Sequence, residues 1–308
     1  MGRTVRRQPA AHAGGGLGAA GPGVCPDRPC AAASTAAQGA LAALRRAGAD
    51  GAAFFALSSR PRHTPIDYVS PCGRWWLRAE PAPGHGVVSI RDAELLILIA
   101  SKLIHKQPQG SAVPEVVDLN PRQLLQARGL TGSGREYALL RASLERLQGT
   151  RYTTNIRPDG GFGAEQTFAL IEEVTFANSR GHLELRLSDW FRTAVGERHV
   201  LQLCEAYLDI PGNYERWLYR VVRKHVGEQP YFQMSVSTLW EKSGKGSPLP
   251  RFKHELRKVV QTNDLPDYGV WWLLREGQEP LVTMGPREGA RRKRPRTEMP
   301  DAALGEWK

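Results

Sequence analysis

Long hydrophobic runs are missing from this sequence of 308 residues. The longest apolar stretch, residues 93–104, is broken by Glu94 and Lys102, and nothing approaches the roughly 18 uninterrupted apolar residues of a membrane span. That stretch reads as a core helix, and no membrane partner is expected. Cysteine is scarce as well. The four residues at positions 25, 30, 72 and 204 are too scattered for a disulfide framework, and Cys25 and Cys30 lack the second close pair or His pair that a zinc site needs. Reduced thiols and a cytoplasmic location are expected. Near the N-terminus, Arg3, Arg6 and Arg7 are followed by Ala and Gly rather than by the apolar run of a secretory signal, so export is not expected.

Catalytic signatures are lacking too. There is no H-E-x-x-H, and no His-x-His pair to serve a metal beside a nucleophilic Tyr. The cluster Lys242, Ser243, Gly244, Lys245, Gly246, Ser247 lacks the first Gly that a phosphate loop carries ahead of its Gly-Lys-Ser/Thr triplet. Glu172 and Glu173 are adjacent on an expected strand, which directs them to opposite faces and prevents an acid/base pair. The expectation is a protein that is not an enzyme and takes no cofactor or metal.

Acidic residues are also short, with 31 Asp and Glu against 42 Lys and Arg, a net charge of +11. An excess of that size favours a polyanionic partner, and without a membrane segment nucleic acid is preferred. The excess is local. Residues 1–60 carry +5 and residues 61–213 balance; residues 214–262 carry +6, residues 263–284 are acidic at −3, and the tail from 285 returns to +3. Residues 1–52 are dominated by Ala, Gly, Pro and Arg without an apolar stripe able to offset chain entropy, and they are expected to be disordered. A second disordered, basic segment is expected at 285–308, where Arg291, Arg292, Lys293, Arg294 and Arg296 cluster.

What is present between these termini is a pattern that occurs twice. In the first copy Asp92 opens a helix with Leu95, Leu96, Ile99 and Leu103 at helical spacing. Asn120 and Pro121 stand as N-cap and first residue of a short helix over 123–127, which Gly129 stops. After the turn 131–134, Tyr137, Leu140, Leu144 and Leu147 form the stripe of a third helix. Strands follow: Tyr152, Thr154 and Ile156 alternate, the turn 158–161 reverses the chain, Phe168 and Leu170 return, and Leu183, Leu185 and Leu187 alternate again. In the second copy Asn213 caps a helix with Trp217, Leu218, Val221 and Val222, which Gly227 ends. Ser235 caps a short helix through Trp240, the turn 243–246 follows, residues 249–262 form a third helix, and a hairpin pairs 268–274 with 281–284. Helix, helix, turn, helix, hairpin is the order of a winged helix. The expected fold class is therefore α+β, with tandem winged-helix domains over 53–200 and 201–284.

The third helices carry the candidate site. In the second, Phe252, Leu256 and Val259 share one face while Lys253, His254, Arg257, Lys258 and Gln261 point away. In the first, the outer face is Arg135, Ala138, Arg141, Ala142 and Glu145. A charged outer face on one helix is commonly just solvated. Two such faces, each between a Gly-Ser turn and a hairpin, favour a role in a DNA groove, where Arg donates two parallel bonds to guanine O6 and N7. Trp217, Trp240, Trp271 and Trp272 offer stacking surfaces, but core packing is the commoner use of such residues; Trp271 and Trp272 cannot both face inward on one strand.

Residues from Phe54 to Tyr268 resemble the plasmid replication initiator protein A family. The resemblance is carried by FFALSSRPRHTPIDY at 54–68, TGSGREYALLRASLERLQGTRYTTNI at 131–156, LRLSDWFRTAV at 185–195, YERWLYRVVRKHVG at 214–227 and LWEKSGKGSPLPRFKHEL at 239–256. It implies an initiator in the bacterial cytoplasm that binds repeated origin sequences (iterons) in double-stranded DNA. It further implies origin opening, loading of the replicative helicase with the host replication initiator, and exchange between a monomer and a homodimer formed through the first domain. Matched by motif position, the implied DNA contacts are Gly134, Arg135, Tyr137 and Arg141 in the first domain. In the second they are Lys242, Ser243, Lys245, Arg251, Lys253, His254, Arg257 and Lys258. The N-terminal segment lies outside the resemblance, and the basic tail carries no role that the family implies. The alternative is a winged-helix transcriptional repressor with no part in replication.

Overall fold

Alternating and helical apolar periods sort the chain into ten strands and seven helices among the described residues of the computed structural model. Those residues are 53–287, except 71, 107–111, 159–160, 177–180, 197–204, 228 and 275–276. The segment 1–52, expected to be disordered, and most of the basic tail lie outside them.

Each copy contains the same six elements. The first has α1 (Ala93–Lys106), β3 (Val116–Leu119), α2 (Pro121–Gln126), α3 (Gly134–Gly149), β6 (Ile171–Phe176) and β7 (Leu183–Leu187). The second has α5 (Asn213–Val226), β8 (Phe232–Ser235), α6 (Val236–Lys242), α7 (Leu249–Thr262), β9 (Tyr268–Leu273) and β10 (Leu281–Pro286). Their sheets are antiparallel with matching orders, β3-β7-β6 and β8-β10-β9. In both, the strand between the first two helices pairs with the last strand of the copy.

The first copy also holds an insertion. β1 (Ile66–Val69), β2 (Trp76–Glu80), β4 (Arg151–Ile156) and β5 (Phe162–Phe168) form a separate sheet in the order β1-β2-β4-β5. This corrects one expectation. The hairpin directly after α3 does not complete the sheet of the first copy but pairs with β2, and the matching hairpin is β6–β7. Residues far away in sequence hold it there: the Tyr152 hydroxyl donates to the Phe54 carbonyl at 3.0 Å, and the Thr154 hydroxyl donates to the Trp76 carbonyl. α4 (Asp189–Gly196) and a 3-10 turn (Glu205–Tyr207) connect the copies.

Local chemistry sets the helix starts. Asn120 accepts from the amides of Arg122 and Gln123 at 2.9 and 3.3 Å, with Pro121 as first residue of α2. Ser235 accepts from the Thr238 amide at 3.1 Å and starts α6. Asn213, expected as a cap, is the first residue of α5, behind Gly212. Its side chain is used elsewhere: it donates to the Leu57 carbonyl at 2.8 Å and accepts from Arg91 Nε at 2.7 Å. The last strand runs past its expected end at 284, so Gly285 and Pro286 belong to the sheet, and Arg287 is fixed by the carbonyls of Leu265 and Tyr268. A bulge in β6 between Ile171 and Glu173 breaks the simple alternation expected for Glu172 and Glu173, and both are exposed.

One apolar core runs through both copies, from Phe54, Leu95 and Leu144 to Val222, Leu256 and Val282. Nearly every side chain of α1 from Leu95 to Ile104 is buried, as expected of a core helix enclosed on all sides. Within that core sits Glu94, whose side chain is 5% exposed. It bonds the equally buried Arg216 of α5, pairs with Arg128 at 3.3 Å and faces Arg91 at 3.7 Å. Arg216 also donates to the Leu208 carbonyl at 2.8 Å. Burial pulls its guanidinium below the usual arginine range, and the negative charge of Glu94 opposes that shift.

Removing one partner of such a pair leaves an uncompensated buried charge. Glu94→Ala is expected to lower the unfolding free energy by about 3–5 kcal/mol in urea denaturation. Glu94→Ala combined with Arg216→Met, which removes the most buried pair, is expected to recover part of that loss, since Arg128 still loses its carboxylate.

Candidate nucleic-acid interface

The third helix of the second copy, α7, is held by one face. Phe252, Leu256, Val259 and Val260 are buried, and the Phe252 ring meets Trp217 edge-on at 5.7 Å and Tyr214 at 5.8 Å between centroids. The opposite face presents Arg251, His254, Arg257, Lys258 and Gln261, all exposed, with Lys253 half-buried beside them. Among the described residues no carboxylate pairs with Arg251, Lys253 or Arg257. Lys258 is paired with Glu255 at 3.2 Å, an exposed contact worth little. Arg257 instead lies over the Trp272 ring of β9, 5.9 Å from its centroid.

The turn before α7 is not the open loop that its composition suggests. Lys242 and Ser243, expected among the DNA contacts, are buried and do not lie on the exposed face. The Ser243 hydroxyl donates to the Trp240 carbonyl at 2.6 Å, while the Gly244 carbonyl accepts from Arg62 Nη1 at 2.7 Å. A Cβ on Gly244 would come within 3.1 Å of the Ala53 and Ile66 side chains, and its φ of +78° suits glycine. The turn therefore packs on the chain leading into β1. Lys245 remains exposed, paired with Glu241 at 3.3 Å and set over the Trp240 ring at 5.3 Å.

In the first copy, Leu140, Ser143, Leu144 and Leu147 bury one face of α3, and Arg135 and Arg141 are exposed as expected of an outer face, with Gly134 exposed at the helix start. Tyr137, expected in the apolar stripe, is 38% exposed instead, so the buried stripe begins only at Leu140. Leu139 joins them at 56% exposure, an apolar residue that the periodicity did not single out. Arg141 lies over the Phe176 ring of β6, 4.3 Å from its centroid. Glu145, on the same side, pairs with His85 at 3.1 Å. The helix opens with a capping box: Ser133 accepts from the Glu136 amide, and Glu136 accepts from the amides of Ser133 and Gly132, both at 2.7 Å. These donors are thereby taken. The Ser133 amide, helped by those of Gly132 and the Thr131 hydroxyl, holds the Glu136 carboxyl down at about 2.

Of the four tryptophans considered for stacking, Trp217 is buried, and Trp240 is half-buried with its Nε1 donating to the Ser247 carbonyl at 2.7 Å. Trp271 is 47% exposed and Trp272 half-buried, in keeping with their alternation on β9. Phe176 and Trp272 are the rings beneath arginines of the two third helices; Trp272 was offered by the sequence as a stacking surface, but Phe176 had no signal in the local pattern. Trp272 lies on the strand directly after its helix, whereas two strands of the insertion separate Phe176 from α3 in sequence. Among the described residues no helix is long and apolar enough to cross a membrane.

Comparison with known proteins agrees with this architecture. The family described as Replication initiator protein A matches residues 47–270. A putative replication protein of Wigglesworthia glossinidia brevipalpis is 31% identical over 192 residues, covering 60% of this chain and 70% of that protein. Among solved structures, a selenomethionine derivative of domains 2 and 3 of RctB aligns with a TM-score of 0.56 at 15% identity, over 80% of this chain and 98% of that one. A second crystal structure of RctB domains 2–3 aligns with a TM-score of 0.52 at 14% identity, over 76% and 95%. At these identities the likeness is one of fold.

The capping box makes a pH prediction. The folded Glu136 value of about 2 lies below its ordinary 4.5, so the stability it contributes is present above pH 4.5 and is lost as the pH falls toward 2. A carboxyl-carbon NMR titration is expected to place its midpoint near 2. Glu136→Gln is expected to flatten the acid limb of the stability curve over that interval.

Proposed function

This chain belongs to the replication initiator protein A family, and we propose that it initiates plasmid replication by binding repeated origin sequences in double-stranded DNA. The observation that carries the reading is the repeated six-element unit whose third helix turns an exposed, cation-bearing face outward in both copies. Helix, strand, helix, helix, strand, strand, with the first strand paired to the last, is the order of a winged helix. In that arrangement the third helix enters the major groove and the hairpin lies against the backbone.

The exposed residues take the corresponding roles. Arg257 and Lys253 of α7, and Arg135 and Arg141 of α3, reach base edges and phosphates. Lys245, Arg251, His254 and Lys258 flank the groove, and Gly134 and Tyr137 stand where α3 meets it. No catalysis is assigned to the chain. It acts by holding and opening the origin in the bacterial cytoplasm and by recruiting the host initiator and the replicative helicase, with a homodimer as its other state.

The first test is a footprint of the DNA flanking its own gene, which is expected to reveal protected direct repeats. Arg257→Ala and Lys253→Ala are each expected to weaken binding to that segment by about 1–3 kcal/mol where a base contact is lost. Unchanged affinity in the double variant removes α7 from the interface.

Affinity is also expected to fall steeply between 50 and 200 mM salt, corresponding to roughly 6–10 neutralised phosphates; a flat slope contradicts the reading. A plasmid carrying only the footprinted segment is expected to replicate when the protein is supplied in trans. Binding without replication identifies a repressor instead.

A further inference from the structure

The two third helices share a contact that repeats with the architecture. Arg141 is the eighth residue of α3 and Arg257 the ninth of α7, and each guanidinium lies over an aromatic ring of the strand that follows in its own copy. Phe176 is the last residue of β6, and Trp272 the last but one of β9. Among the described residues neither arginine has a carboxylate partner, so the ring is what orients the guanidinium. Arg135, Arg251 and Lys253, on the same two helix faces, have no ring beneath them among the described residues.

A guanidinium lying on a π face keeps the donors around its edge free, and those donors form the fork that matches guanine O6 and N7. The ring also restricts the side chain before DNA arrives, so less rotamer freedom remains to be lost on binding. Lysine gains little from such a shelf, because its ammonium is a compact charge without a planar fork.

We propose that Phe176 and Trp272 are positioning residues that hold Arg141 and Arg257 ready to read guanine edges, dividing each basic helix face into base readers and phosphate holders. The proposal rests on the reading that the third helices enter the major groove.

The test uses the full chain and fluorescence anisotropy with two duplexes, the footprinted segment flanking its gene and a base-shuffled duplex of equal length and composition. Phe176→Leu and Trp272→Leu are each expected to lower the ratio of the two affinities about 5- to 10-fold, leaving shuffled-duplex affinity and the salt slope unchanged. Phe176→Tyr and Trp272→Phe, which keep a ring, are expected to retain the ratio. In an Arg141→Ala or Arg257→Ala background the matching Leu substitution is expected to cost nothing further, and this comparison holds even where Leu alters stability. Equal losses on both duplexes, or losses that add in the double variants, overturn the proposal. If the arginine variants lower the ratio and the ring variants do not, only the shelf falls; if the arginine variants also leave it unchanged, the groove reading falls with it.

Discussion

A single buried carboxylate governs how the two copies meet. Glu94 stands in the first turn of a helix that is otherwise enclosed by apolar side chains, where an unpaired charge is strongly disfavoured. It is tolerated because Arg91 from the turn before α1, Arg128 from the turn after α2 and Arg216 from α5 converge on it. An apolar interface allows sliding, whereas these bonds have directions. Arg216 is fixed further by carbonyls of the connecting segment, and Arg91 by Asn213. The first helices of the two copies are thus set against each other at their N-terminal ends, and the rest of each copy builds outward from there. Asp92, two residues earlier, does the same within the first copy: it takes Arg146 of α3 through two bonds of 2.7 and 2.8 Å and so fixes the third helix to the first.

How much of this was legible in the sequence follows from the range of the forces involved. Helix α7 was readable to its end residues because its apolar stripe is local; the structure adds an αL cap at Asn263. The starts of α2 and α6 were readable because Asn120 and Ser235 bond their own next turn. By contrast, Asn213 has the residue type of a cap and is used as a tie between copies, a role only a distant partner defines. The insertion sheet was hidden for the same reason. β1 and β2 are short, and what makes β4 the neighbour of β2 is a set of pairings across more than seventy residues. The four-residue strands β3 and β8 likewise exist through their pairing with β7 and β10 rather than through any pattern of their own.

The candidate site was legible to a similar degree. Outward residues of α3 and α7 follow from helical spacing, since burying one face dictates the other. The turn before α7 misled because Lys, Ser and Gly in a row have the composition of a solvated loop. Arg62, lying 182 residues earlier, turns that loop inward by taking the Gly244 carbonyl. Polar composition therefore identified a turn, and only a long-range hydrogen bond decided which of its residues reach solvent. Lys245, two residues past Ser243, is exposed with its backbone in the left-handed region at φ +51°.

The distribution of charge and the rigidity of the Glu94 cluster act together on the proposed reading. Residues 214–262 carry +6 while residues 61–213 are balanced, and at physiological salt a charge acts over about one Debye length, roughly 8 Å. On the proposed reading, attraction to a duplex would come mainly from residues 214–262, since the segment 263–284 that completes the second copy is acidic at −3. The first, neutral overall and with Glu136 and Glu145 spent on internal partners, contributes contact only once it is already close to the groove. Because the first helices of the copies are tied through Arg216 and Glu94, α3 would not be free to search independently of a docked α7 on that reading. A site that satisfies α7 but offers nothing at the fixed position of α3 keeps the electrostatic part of the affinity and loses the rest. If α3 and α7 enter the groove as proposed, the buried ion pair would make the two helices respond to the spacing of their sites as well as to sequence.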